Sequence, residues 1–252
     1  VKFCLLASGS RGNAIWVEEG DLALVVDCGL SAREFLSRVG VAGLDISRLS
    51  CLLVSHEHRD HISGLGVLAR RLKIPVLANA ATCAAASPLV GRVRWEIFTT
   101  GDTLNLGPLK IRTLGLSHDA VDPVAFVMES QAGRLGLATD LGTPTELIKY
   151  RFQALTALIL EFNHDYRLLM DGPYPWPLKQ RVRGRTGHLV NETAATFAAK
   201  LYHREMRYLI LAHLSEINNN PALALKVARE TLDGALEPVA ASQWEPTVVF
   251  EF

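Results

Sequence analysis

Apolar positions along the chain follow two periods. Runs bounded by Gly, Ser or Asp mark strands at VKFCLLA (1–7), NAIWVEE (13–19) and DLALVVDCG (21–29), which read as neighbours in a meander. From Ser31 the period lengthens, with Phe35, Leu36 and Val39 on one helical face, and the short run CLLVS (51–55) then suits a strand buried on both sides. Leu65, Leu68, Ala69 and Leu72 repeat at helical spacing before IPVLAN (74–79) returns to a strand and an Ala-rich helix follows. Between Asp102 and Asp140 the segments TLNLG, LKIRTLGLS, DPVAFVMES and RLGLATD predict a second sheet. A helix over 143–150, a strand over 154–162 and a helix–strand–helix segment over 191–233 complete the pattern. DGPYPWP, with Pro173, Pro175 and Pro177, reads as an irregular surface loop. Strand runs in each half, each followed by helices, predict an α/β chain of two mixed sheets packed face to face with helices outside, an αββα sandwich.

The chain has 252 residues, one or two domains at ~150 residues each, and a single domain over 1–252 is expected because the pattern has no linker and no repeat. A hydrophobic fraction of 49% with 21% charged residues excludes disordered, collagen-like and disulfide-scaffold classes. Lys+Arg 26 against Asp+Glu 26 leaves no net charge, so any polyanion site must be local. No apolar run approaches the ~18 residues of a membrane span, and Phe3 to Ala7 is too short for a signal-peptide core, so a cytoplasmic protein without a membrane partner is expected. Cys4, Cys28, Cys51 and Cys83 form no C-x-x-C pair and read as small hydrophobes in a reducing compartment.

The chemistry concentrates after the buried strand at 51–55, in H-E-H-R-D-H. By the two-residue period His56 and His58 point one way, while Asp60 and His61 turn with the chain, an arrangement that serves two metals. Imidazole and carboxylate donors suit Zn²⁺, Mn²⁺ or Fe, and the absence of a nearby Cys ligand disfavours a zinc finger.

H-x-H-x-D-H resembles the metal motif of the metallo-β-lactamase-fold hydrolases, from Ala7 to about Asn220, and the chain looks like the YycJ/WalJ type within them, cytoplasmic proteins associated with DNA nuclease activity. The closer resemblance is carried by SGSRGN (8–13), VDCGLS (26–31), SHEHRDH (55–61), HDAVDP (118–123), TDLG (139–142), EFNHD (161–165), YPWPLKQRV (174–182), GHLVN (187–191) and AHLSEINNN (212–220). Arg59 and Cys28 stand where smaller neutral residues are usual, and Val190 replaces a customary Ser. The resemblance implies that His118 completes one metal site with His56 and His58, that His213 completes a second with Asp60 and His61, and that Asp140 bridges them. Each of the three follows an apolar strand run, which places it where strand ends converge on one rim. His203 matches nothing and reads as a surface residue of the helix that starts near Asn191.

Two close metals share and activate a water, which Asp60 would orient; an alkoxide leaving group additionally benefits from a proton donor. His188, three residues before Asn191 as candidate N-cap, resembles the leaving-group acid of the ribonuclease Z group, with Glu161 as the carboxylate behind it. Asp60, His188 and Glu161 are therefore the catalytic candidates. Lys179, Arg181, Arg183 and Arg185 form a local basic segment that either tracks a phosphate backbone or is a solvated helix face. Ser10 and Asn13 in SGSRGN either cradle a phosphate or belong to an ordinary turn, and His164 either contacts phosphate, supports Glu161 or steadies the following loop together with Asp165. The expected function is a phosphodiester hydrolase with two divalent metal ions acting on nucleic acid, DNA by resemblance and exonucleolytic. The alternatives are hydrolysis of a small cyclic phosphodiester, thioester or lactone, and a non-catalytic metal-bound regulator. The sequence leaves metal identity and oligomeric state open.

Overall fold

The computed structural model describes residues 1–252. The first half runs β1 (Lys2–Ala7), β2 (Ala14–Glu19), β3 (Leu22–Val26), α1 (Ala32–Val41), β4 (Leu49–Leu53), α2 (Arg59–Ile62), α3 (Leu65–Leu72), β5 (Val76–Asn79), α4 (Ala80–Val90) and β6 (Trp95–Phe98). The second half runs β7 (Thr103–Leu106), β8 (Leu109–Gly115), β9 (Val124–Glu129), β10 (Arg134–Ala138), α5 (Glu146–Arg151), β11 (Ala157–Glu161), α6 (Tyr166–Asp171), α7 (Trp176–Val182), α8 (Asn191–Leu201), β12 (Tyr208–Ala212), α9 (Pro221–Thr231), β13 (Val239–Ala240) and β14 (Phe250–Glu251). The strand order is β14-β1-β2-β3-β4-β5-β6 in one seven-stranded sheet and β13-β12-β11-β10-β9-β8-β7 in the other.

Strand periodicity explains the layers. Phe3 and Leu5 of β1, Ile15 and Val17 of β2, and Leu24 and Val26 of β3 face Ile111, Phe126, Met128, Leu137 and Ile159 of the other sheet across a shared core. The intervening Cys4, Leu6, Trp16, Ala23 and Val25 turn outward against Phe35, Val39, Leu65 and Leu68 of the helices. On the far side Leu158, Leu160, Leu209 and Leu211 meet Ala194, Phe197, Ala198 and Ala228. Both faces of the central strands are buried, which is why they read as continuous apolar runs. Cys4, Cys28 and Cys51 are buried free thiols and Cys83 is half-buried. No helix is long and apolar enough to cross a membrane.

Topology then gathers the polar strand ends. β3 and β4 run parallel, as do β10, β11 and β12. β8 lies antiparallel to β9, which lies antiparallel to β10, so β8 points the same way as β10. The residues after β3, β4, β8, β10, β11 and β12 therefore emerge on one rim, the edge where ligands bind in sheets of this kind.

Three local expectations are corrected. The N-cap of α8 is Val190, not Asn191; Asn191 is already helical, fully buried, and pairs amide to amide with Asn219 at 2.9 and 3.0 Å. DGPYPWP is only partly loop, because Pro175 caps α7 and Pro177 occupies its first turn, where a missing N–H costs nothing. His203 lies beyond the end of α8, half-buried, its Nε2 2.9 Å from the Leu155 carbonyl. Strands β6, β13 and β14 were not marked by periodicity, since two of them have only 2 residues and β6 is mostly exposed.

Candidate active site

The turn after β4 carries His56, His58, Asp60 and His61, and its shape is fixed by two neighbouring loops. Asn13 N donates to Asp60 O at 2.7 Å and Cys28 N to His61 O at 2.7 Å. Gly29 is required at this contact, because a Cβ there would lie 1.7 Å from the Asp60 carbonyl oxygen. Asp27 adopts a left-handed conformation, φ 60°, which turns its carboxylate beneath the motif. That carboxylate accepts from Ser55 N and Ser55 Oγ, both at 2.8 Å, and lies 2.7 Å from His61 Nδ1. His61 Nε2 is thereby aimed at the rim.

Four donor groups result. His56, His58 and His118 offer nitrogens within 4.8 Å of one another; an Asp60 oxygen and nitrogens of His61 and His213 do likewise, Asp140 joins His56 and His61 in a third group, and Asp140, Glu161, His188 and His213 form a fourth. Asp140 lies centrally, 3.0 Å from His61 Nε2, 3.7 Å from His118 Nε2 and 3.5 Å from His213 Nε2. His118 is oriented by the Gly187 carbonyl, 3.1 Å from Nδ1. His213 also has a left-handed backbone, φ 53°, held by its N–H to Ser8 Oγ at 2.8 Å and by Asn163, whose amide donates to the His213 carbonyl at 3.0 Å. Of the five left-handed non-glycine residues, Asp27 and His213 lie at the site, where each sets a ring direction.

The cluster fits divalent cations. His56 Nε2 and Asp140 Oδ2 are buried and lack an aligned hydrogen bond, a costly state for polar atoms unless another partner binds there. Burial disfavours charge on His61 and His213, but the surrounding carboxylates, Asp140 foremost, outweigh it and hold both well above the ordinary imidazole range. Asp140 is itself held well below the carboxylate range: burial opposes ionisation, and the His213 and His61 charges overcome it. Burial and the neighbouring His61 instead keep His56 neutral, well below its ordinary value, with its lone pair available. Carboxylates that favour positive charge at His61 and His213, beside the free lone pair of His56, make a site where a divalent cation would replace those protons, and its N/O donors suit Zn²⁺, Mn²⁺ or Fe.

Beside this cluster stands His188. Its Nδ1 lies 2.6 Å from Glu161 Oε1 and 3.7 Å from Asp140 Oδ1, and the ring is 21% exposed toward the cleft. Glu161 ends β11 fully buried, and its second oxygen accepts from Leu141 N at 3.0 Å and Leu189 N at 2.9 Å. Burial opposes a charged His188, yet Glu161's charge and hydrogen bond outweigh it and raise the imidazole. Gly142 brings the two loops together, since a Cβ there would fall 2.3 Å from the Arg185 carbonyl oxygen.

The cleft over the cluster has a volume of about 510 Å³, and Ser10, Arg59, Asp119, Tyr174 and Arg181 are among the residues that line it. Of the expected substrate contacts, Ser10 reaches it exposed. Asn13 does not: it is 1% exposed, and its amide is spent on Gly9 N and O and lies 3.0 Å from His61 Nε2. Arg181 is ion-paired with Asp119 at 2.5 Å, Lys179 donates to the Met170 carbonyl at 2.5 Å, and Arg183 lies over the Trp176 ring at 5.9 Å. His164 is 1% exposed, with Nδ1 unpartnered, and lines a separate cavity of about 220 Å³ beyond His188 with Tyr166, Arg183 and Thr193. Burial lowers its pKa to about 4, so that imidazole is neutral. Asp27, Ser55, Asn163 and Asp119 escaped the sequence reading of individual roles, although VDCGLS, SHEHRDH, EFNHD and HDAVDP contain them.

The sequence profile described as "Beta-lactamase superfamily domain" matches residues 23–214. The chain is 38% identical over 234 residues to the exodeoxyribonuclease YycJ of Bacillus anthracis, covering 92% of this chain and 89% of that protein. It is 35% identical over 228 residues to the exodeoxyribonuclease WalJ of Streptococcus pneumoniae, covering 88% and 85%. The metallo-β-lactamase fold protein YhfI of Bacillus subtilis superposes with a TM-score of 0.75 at 20% identity, over 98% of each chain.

Proposed function

Because the chain belongs to the β-lactamase superfamily of metal-dependent hydrolases, we propose that it is a nuclease that hydrolyses DNA phosphodiesters exonucleolytically. The observation that carries this reading is the His188–Glu161 pair at 2.6 Å beside the metal-type cluster. A thioester expels a thiolate that departs with little help, whereas a deoxyribose alkoxide needs a proton, and a carboxylate-supported imidazolium supplies one. The two relatives above, named exodeoxyribonucleases, support DNA and terminal cleavage.

In this reading His56, His58 and His118 would hold one divalent ion and Asp60, His61 and His213 a second, with the Asp140 carboxylate between the two groups. Bound there, such ions supply an activated water at neutral pH and stabilise charge on the phosphoryl oxygens. The chain's own residues do the rest. Asp27 and Gly187 fix the His61 and His118 rings. Asp60 Oδ2, 3.3 Å from His213 Nε2 and 22% exposed as a side chain, is the carboxylate placed to orient the attacking water. His188 carries a proton on the ring nitrogen facing the cleft, and Glu161 holds the opposite edge, so the ring need not reorient when the proton leaves. Arg183 and neutral His164 border the cavity beyond His188, where the departing nucleotide would lie.

The test is a panel of 5′-labelled duplex DNA, single-stranded DNA, RNA and small phosphodiesters, each with Mn²⁺ or Zn²⁺. Release of mononucleotides from a DNA end is expected; hydrolysis confined to small esters would overturn the assignment.

A further inference from the structure

Arg59 and Arg181 both line the metal cleft, but they are not equivalent cations. Arg181 is bound to Asp119 at 2.5 Å. Arg59 is exposed, sits in the metal motif between His58 and Asp60, and makes no ion pair. A free guanidinium in such a cleft is a phosphate contact waiting for its anion.

The same wall continues into an aromatic surface. Ser10 lines the cleft with Arg59, and the next residue, Arg11, lies over the Trp244 ring at 5.0 Å. Trp244 is 63% exposed, yet its support is rigid. Gln243 accepts from Arg11 N at 2.9 Å and donates to the Gly12 carbonyl at 3.3 Å, while the buried Arg38 donates to the Gln243 carbonyl at 2.9 Å and the Leu6 carbonyl at 3.0 Å. Trp244 borders a groove of about 610 Å³ that abuts the metal cleft: His213 of the cleft donates its N–H to Ser8 Oγ of the groove at 2.8 Å, and the next residue, Leu214, lines the groove. The groove's charge suits bases more than phosphates: Glu216 is neutralised by Arg11 at 2.8 Å, Glu245 is exposed, and Ser215, Asn220 and Ser242 offer neutral hydrogen-bonding groups.

We propose that this wall is the track of a single nucleic-acid strand leaving the metal cleft, with Arg59 on a phosphate and Trp244 stacked on an unpaired base. The inference rests on the nuclease reading and adds single-strandedness to it, because a paired base has no free face to offer an exposed tryptophan.

The experiment measures steady-state cleavage of single-stranded oligodeoxynucleotides from a dinucleotide to about 16 nucleotides, with metal content checked for each variant. In the wild-type protein kcat/KM rises with length as the strand reaches Trp244. Trp244→Ala removes that rise, lowering kcat/KM on the long strands by about tenfold to a hundredfold, and Trp244→Phe restores most of it. Arg59→Ala reduces the log–log salt slope by about 0.7, and Arg59→Lys retains it. A Trp244→Ala protein with wild-type length dependence, or an Arg59→Ala protein with the wild-type slope, would overturn the track while leaving the nuclease reading intact. A wild-type protein that hydrolyses bis(p-nitrophenyl) phosphate but no strand would remove both.

Discussion

Glu161 Oε1 stands 2.6 Å from His188 Nδ1, and the other carboxylate oxygen is tied to two backbone N–H groups. The pair cannot drift, and its charge relation has a direction. Burial lowers the His188 pKa; Glu161's charge and hydrogen bond raise it above the ordinary value and prevail. In the proposed mechanism the acid form of His188 is the active one, so activity should fall as pH rises through that raised pKa. Glu161→Gln removes the carboxylate charge and leaves burial dominant, so the basic limb of the pH–rate profile moves to lower pH. The loss of kcat at neutral pH should be smaller than for removal of His188. A basic limb that stays in place in Glu161→Gln would mean the carboxylate does not set the imidazole's protonation.

Metal stoichiometry provides the second expectation. Two donor groups of three residues flank Asp140, which lies 3.7 Å from His118 Nε2 and 3.5 Å from His213 Nε2, so the purified chain should take up two divalent ions. His118→Ala and His213→Ala should each lose one, read by elemental analysis against protein concentration. A wild-type value of one ion or none, after incubation with excess metal, would contradict the paired arrangement.

Asp27 touches no part of the cleft and acts only through His61 and Ser55. Asp27→Asn keeps the volume but loses the charge-assisted hydrogen bond that fixes the His61 tautomer. Metal affinity should fall by about 10- to 100-fold, the usual cost of losing an outer partner of a ligating imidazole, measured by competition with a chromophoric chelator. Ser55→Ala should show a smaller effect in the same assay.

Much of this site was legible because its residues follow apolar strands. The run 51–55 announced the turn that holds His56 to His61, and the runs before His118, Asp140 and His213 announced a shared rim. What stayed hidden depended on contacts between distant segments. Asp27 reads as one acidic residue after a strand until a left-handed backbone turns it under His61. Asn13 looked like part of a phosphate cradle, but its side chain is drawn inward by Gly9 and the metal-motif turn. Asn191 has the chemistry of a helix cap, yet its long-range amide pairing with Asn219 outcompeted that local preference. The basic run from Lys179 to Arg183 is likewise engaged by Met170, Asp119 and Trp176, none of which a charge pattern reveals.

The central claim, that His188 donates a proton to a departing alkoxide, is tested most directly by comparing two leaving groups. His188→Ala should retain its metal ions and lose about 10²- to 10⁴-fold in kcat on DNA, the range of a general acid. On bis(p-nitrophenyl) phosphate the loss should nearly vanish, because a nitrophenolate departs without protonation. Equal losses on both substrates would contradict the account and leave His188 a structural or binding residue.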